Sequence, residues 1–139
     1  MPKPLILVSN DDGITSRGIR TLVDIMKELG DVLVVAPDSP QSGMGHAITV
    51  GDTLRLEQSR IFDGVEAYEC SGTPADCVKM ARHFVLKDQR QPDIVVSGIN
   101  HGSNTSISVL YSGTMSAAIE GAIEGTPAIG FSLCDYSHG

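Results

Sequence analysis

Two adjacent carboxylates, Asp11 and Asp12, end an apolar run, Leu5-Ile6-Leu7-Val8-Ser9-Asn10, and Gly13 follows them directly. Four aliphatic residues in a row read as a strand buried on both faces, as in a parallel α/β sheet. Neighbouring strand side chains point to opposite faces, so both carboxylates can serve one site only if the chain leaves the strand near Asp11. Gly13 relaxes such a turn. Two carboxylates roughly 4 Å apart repel by about 4 kcal/mol in the effective dielectric near a protein surface. A cation, a shared proton or solvent must relieve that repulsion. Two readings are open on this stretch alone. One is a divalent-metal site at the carboxyl end of the first strand, where open α/β sheets bind ligands. The other is a solvated turn, since Asn, Asp and Gly are ordinary turn residues.

Other residues with suitable chemistry lie in later polar stretches. Ser42 falls in a Gly-, Ser- and Pro-rich segment at 38–45, and Asn100 in a glycine-rich segment at 98–104. Two carboxylates with neutral oxygen donors suit a hard cation such as Mg²⁺ or Mn²⁺. Thiolate and imidazole are missing from the set, which argues against a closed zinc site. Ser112-Gly113-Thr114 opens a helical pattern. Unpaired backbone N–H groups and the helix dipole favour an anion there, so it can cradle a phosphate. Each residue also has an ordinary reading, as turn, loop or helix cap. Their shared position at one predicted sheet edge favours a site.

The elements that must position these residues follow from periodicity. Ile19, Leu22, Val23, Met26 and Leu29 fall at helical spacing, with Thr15 or Ser16 as cap and Gly30 as the end. A second buried strand runs over 31–37 and stops at Pro37, which gives a βαβ unit and a parallel sheet. Segments 47–50 and 53–57 flank Gly51-Asp52 and predict a hairpin, with an extended excursion from the main sheet as the alternative. A strand over 65–70 leads into Ser71-Gly72-Thr73-Pro74, a helix start with Thr73 as cap. Cys77, Met80, Ala81 and Phe84 line one face of that helix. A strand at 93–97 precedes the loop that carries Asn100, a helix runs from 112 to about 123, and a last strand covers 128–133.

At 139 residues the chain makes one domain, 1–139, with a real core. A hydrophobic share of 41% makes it globular rather than disordered. The net charge of -7 argues against a nucleic-acid polymer as partner, since phosphate backbones want a basic face. Cys70, Cys77 and Cys134 are an odd number without metal-ligand spacing, and they read as reduced core residues of a cytoplasmic protein. No apolar run approaches the length of a membrane span, and the amino terminus lacks a signal-peptide pattern.

Five blocks, taken in order, carry a resemblance. They are Asn10-Asp11-Asp12-Gly13, Ala36-Pro37-Asp38 with Gln41-Ser42-Gly43, Ser71-Gly72-Thr73-Pro74-Ala75-Asp76-Cys77, Ser97-Gly98-Ile99-Asn100-His101-Gly102-Ser103-Asn104, and Tyr111-Ser112-Gly113-Thr114. Together they resemble the SurE family, the metal-dependent 5'-nucleotidases of the stationary-phase survival protein type. The resemblance implies a three-layer, Rossmann-like α/β fold with a mostly parallel sheet. It implies a divalent metal held at Asp11, Asp12, Ser42 and Asn100, and a phosphate site at Asn104, Ser112, Gly113 and Thr114. The implied reaction removes phosphate from nucleoside 5'-monophosphates, with 3'-nucleotides and short polyphosphate as further substrates. Asp11 would also orient the attacking water. The chain departs from the pattern at Ser16-Arg17, where Ala-Pro is common, and at Ser39, where Arg is common. SurE proteins continue well beyond Leu133 with more sheet and an arm exchanged between subunits. The expectation is therefore a domain without the carboxyl-terminal part of the family fold, and a homodimer or homotetramer at full length.

Three other classes fit less well. An aspartyl-phosphate hydrolase wants a carboxylate where Asn10 stands. A non-catalytic receiver-like module wants an acceptor Asp where Ser97 ends its strand. A Rossmann dinucleotide binder wants Gly-x-Gly-x-x-Gly after the first strand. A bare structural module is the remaining alternative.

Overall fold

The computed structural model describes residues 3–10, 12–38, 55–87, 89–102 and 126–134. Among these, the strands are β1 (Leu5–Ser9), β2 (Asp31–Pro37), β3 (Leu56–Ser59), β4 (Glu66–Cys70), β5 (Ile94–Gly102) and β6 (Ala128–Cys134). The helices are α1 (Arg17–Met26) and α2 (Pro74–Met80), and α2 runs on into a wider π-helical turn, Ala81–Val85. The strands form one sheet in the order β3-β4-β2-β1-β5-β6. All neighbours are parallel except β3 and β4.

Alternation along the central strands builds two cores. Ile6, Val8, Val34, Ala36, Ala67 and Val96 face α1 and pack with Ile19, Leu22, Val23 and Met26. Leu7, Leu33, Val35, Cys70 and Val95 face the other way and pack with Cys77, Val78 and Ala81 of α2 and its extension. The central strands β1 and β2 therefore bury both faces, as their unbroken apolar runs require. Helix, sheet and helix make the three layers of an α/β Rossmann-like fold. No described helix is long and apolar enough to cross a membrane.

Several expectations shift in detail. Ser16 caps α1, but the helix ends at Met26. Leu29 lies in the turn beyond, 59% exposed, off the buried stripe. Gly30 is needed there because Pro4 passes so close that a Cβ would meet its carbonyl oxygen. Thr73 caps α2 in a reciprocal box with Asp76, as the Thr-Pro start predicts. Phe84 leaves the predicted face and is 66% exposed. The reason is the π turn: Leu86 N donates to Ala81 O at 2.9 Å, five residues back, which widens the turn and rotates later side chains. β3 lies slightly later than the 53–57 segment and pairs with β4. The expected partner at 47–50 lies outside the described residues, as does the helix expected from 112.

The largest difference is β5. Residues 98–102, expected as loop, continue the strand past an irregularity between Ser97 and Asn100. Pairing with β6 carries the glycine-rich segment forward, with Asn100 opposite Ser132 and Gly102 opposite Cys134.

Candidate active site

The strand order reverses on either side of β1. The chain steps from β1 to β2 and β4 in one direction, and from β1 to β5 and β6 in the other. Open α/β sheets bind ligands at such a switch point, at the carboxyl ends of the strands. Asn10 and the tandem carboxylates follow β1, and Asn100 lies in β5, three residues beyond Ser97, the partner of Ser9.

The turn after β1 is built around Asn10, whose side chain is fully buried. Its Oδ1 accepts from Gly13 N at 3.2 Å. Its Nδ2 donates to Gly13 O at 3.0 Å and to Ser16 Oγ at 2.9 Å. Ser16 Oγ in turn accepts from Ile19 N at 3.3 Å, which closes the amino end of α1. Gly13 sits at φ 99, a conformation that side-chain-bearing residues rarely adopt. Ile14 N donates to Pro37 O at 2.8 Å, tying the turn to the end of β2. Asp12 is half-buried on this turn.

Gly18 brings α1 against β5. A Cβ at Gly18 would coincide with the carbonyl oxygen of Ile99, the residue before Asn100. Ser9 and Ser97, paired in register on β1 and β5, are fully buried. Among the described residues neither Oγ finds a hydrogen-bond partner, although Ser9 lies beside the Cys77 thiol. The rim toward β4 carries Asp38, whose carboxylate lies 3.8 Å from Arg55, together with Glu57 and Glu69.

Cys70 and Cys77 are buried free thiols at the same edge. The hydrogen bond from Cys77 lowers the Cys70 pKa, helped by Gly72 N at 3.4 Å from its sulfur. Burial raises Cys77 well above its ordinary value, and its bond to Cys70 adds to the shift. Cys77 thus stays protonated and the two thiols satisfy each other. They are core residues, as their spacing suggests.

The structure places Asp12 just after β1 and the backbone of Asn100 in the neighbouring strand β5. Asp11, Ser42, Asn104, Ser112, Gly113 and Thr114 lie outside the described residues. Sequence reasoning took Asn10 only as the residue that is not a carboxylate, and it missed Gly18. The signal for Asn10 was its place between an apolar run and Asp-Asp-Gly, where a neutral amide can both donate and accept.

Of the expected metal ligands, the Asp12 side chain is the one described: a half-buried carboxylate, the oxygen-donor type that a hard divalent cation takes, on a turn fixed by a neutral amide.

Comparison with known proteins agrees with this fold. The family model for survival protein SurE matches residues 6–139. The 5'-nucleotidase SurE of Cytophaga hutchinsonii is 78% identical over 137 residues, covering 99% of this chain and 52% of that protein. The 5'-nucleotidase SurE of Bacteroides fragilis is 50% identical, again over 99% of this chain and 53% of its own length. The crystal structure of the SurE protein from Aquifex aeolicus superposes with a TM-score of 0.79 at 43% identity, covering 95% of this chain and 52% of that one. The chain thus spans about half the length of the curated relatives it matches.

Proposed function

The chain belongs to the survival protein SurE family, and on that premise we propose that it forms the phosphate-hydrolysing centre of a metal-dependent 5'-nucleotidase. The substrate is a nucleoside 5'-monophosphate, with 3'-nucleotides and short polyphosphate as secondary substrates, and the products are nucleoside and phosphate. The observation that carries the reading is the switch point between β1 and β5, with a half-buried Asp12 on the turn that leaves β1. The names of the similar proteins, 5'-nucleotidase SurE, support the same reaction.

In this reading Asp11, Asp12, Ser42 and Asn100 hold one divalent cation, Mg²⁺ or Mn²⁺. Such a cation polarises a phosphoryl oxygen and lowers the pKa of water, so that a nucleophile is available near neutral pH. The protein's own groups do the remaining work. Asp11 orients the attacking water. Asn104 and Ser112-Gly113-Thr114, where the sequence predicts a helix start, would bind the phosphate, since backbone N–H groups at such a start favour the charge that develops on it. Asn10 takes no part as a nucleophile, because its side chain is a carboxamide engaged in three hydrogen bonds within the turn. That argues against a covalent aspartyl-phosphate route and leaves direct attack by water.

Residues 1–139 act as a single SurE-like α/β domain. The full-length protein works in the cytoplasm as a homodimer or homotetramer, without nucleic-acid polymer or membrane as partner.

Phosphate release from a panel of nucleoside monophosphates tests the reading. Release should require Mg²⁺ or Mn²⁺, stop with chelator and return when the metal is restored. Turnover that chelator leaves untouched, or no release from any nucleotide with either metal, would sink it.

A further inference from the structure

We propose that Asn10 is a positioning residue for the tandem carboxylates, acting through a clamp that closes on both sides of Asp11-Asp12 and seats on α1. The inference rests on the metal reading above and deepens it. Asp11 and Asp12 are flanked by Asn10 and Gly13, and the Asn10 side chain joins those two flanks directly. One bond accepts from Gly13 N and another donates to Gly13 O. Both bonds are shielded, since Asn10 has no exposed surface. Water therefore competes little for them.

The choice of amide is chemical. Adjacent carboxylates repel, and without a cation the turn that carries them tends to open. A neutral group that both donates and accepts can hold it closed without adding charge. An Asp at this position keeps the acceptor but loses both donated bonds. Leu, Ala or Ser lose the acceptor geometry as well.

The third bond carries the clamp outward. Asn10 Nδ2 donates to Ser16 Oγ, and Ser16 caps α1. Two residues on, Gly18 lets α1 rest on Ile99 O, next to Asn100. The turn bearing two of the cation's ligands is thereby referenced to the strand bearing another. Ser16 thus serves both as the cap of α1 and as an anchor for the clamp.

The test is Mn²⁺ affinity of the purified protein, read by electron paramagnetic resonance of the free ion, beside thermal unfolding without metal. Asn10→Ala should weaken Mn²⁺ binding about 10-fold, the effect typical of groups that orient metal ligands. Asn10→Asp should weaken it comparably. Its added negative charge would by attraction alone tighten binding, so a loss there reads the missing donors. Ser16→Ala, which leaves both Gly13 bonds in place, should cost less than about threefold. Thr73→Ala removes the cap of α2, away from the turn, and should lower the unfolding midpoint while leaving Mn²⁺ affinity unchanged. Unchanged or tighter binding in Asn10→Asp, or equal losses in Thr73→Ala, would overturn the positioning role and leave the metal reading intact. No Mn²⁺ binding by the wild-type protein would overturn both.

Discussion

The two ends of the sheet use the same kinds of residue in opposite ways. At the amino ends of the strands, Arg90 stands between Asp31 and Asp93, at 3.4 and 3.3 Å, and also donates to Lys3 O. Asp93 accepts from Leu5 N at 2.8 Å, so its carboxylate ties β1 to the start of β5. Charge there is answered by charge and by backbone. At the carboxyl ends, the turn that carries Asp11 and Asp12 is held by a neutral amide, a serine hydroxyl and a left-handed glycine. The first end closes the fold on itself. The second fixes the backbone beside the acids with uncharged groups. In this molecule the two ends differ in which groups fix the backbone beside the acids, not in how many acids there are.

The carboxyl end is most sensitive at Gly18. A Cβ there would overlap the Ile99 carbonyl oxygen. Gly18→Ala should destabilise the protein by about 3 kcal/mol in urea unfolding, as overpacking does. It should also weaken Mn²⁺ binding, because α1 must move off the strand that carries Asn100. Next comes Gly13→Ala, which forces a side chain onto φ 99. The expected loss is about 2 kcal/mol, measured the same way. Normal stability in this variant would mean that the turn relaxes freely and needs no clamp.

At the opposite end the effects should be smaller and should follow pH. Asp93 titrates below its ordinary value, first because its carboxylate accepts from Leu5 N and then because of Arg90. A lowered folded pKa contributes stability that is present above the unfolded value and lost as pH falls through the folded one. Asp93→Asn should therefore flatten the acid limb of the unfolding midpoint against pH while leaving phosphate release at neutral pH unchanged. Arg90→Ala should cost the least, about 1 kcal/mol or less, since its ion pairs are exposed and salt-screened.

Much of this contrast is legible in the sequence, and what is not has physical reasons. β1 and β2 read directly from their apolar runs because central parallel strands bury both faces. The Thr73 cap reads directly because capping is local chemistry. Phe84 does not, because a π turn changes the helical period midway. The extension of β5 through Gly98–Gly102 does not either, because glycine-rich composition describes a loop until β6 pairs alongside it. The tandem carboxylates stand out by residue type and spacing. The Asn10 clamp and the Gly18 contact are tertiary: one depends on a side chain folding back over three residues, the other on a helix meeting a strand about 80 residues later in the chain.

The most direct test sets the two ends side by side in a pair of double variants that each remove two acidic charges. Asp11→Asn with Asp12→Asn should reduce metal-dependent phosphate release by at least about 100-fold, since ligand loss exceeds the loss of a supporting group. The unfolding midpoint without metal should hold or rise as repulsion is relieved. Asp31→Ala with Asp93→Ala should do the reverse, lowering the midpoint while leaving phosphate release within about twofold of wild type. Full phosphate release by the Asp11, Asp12 double variant in the presence of Mn²⁺ would contradict the assignment of the carboxyl end as the working end of the sheet.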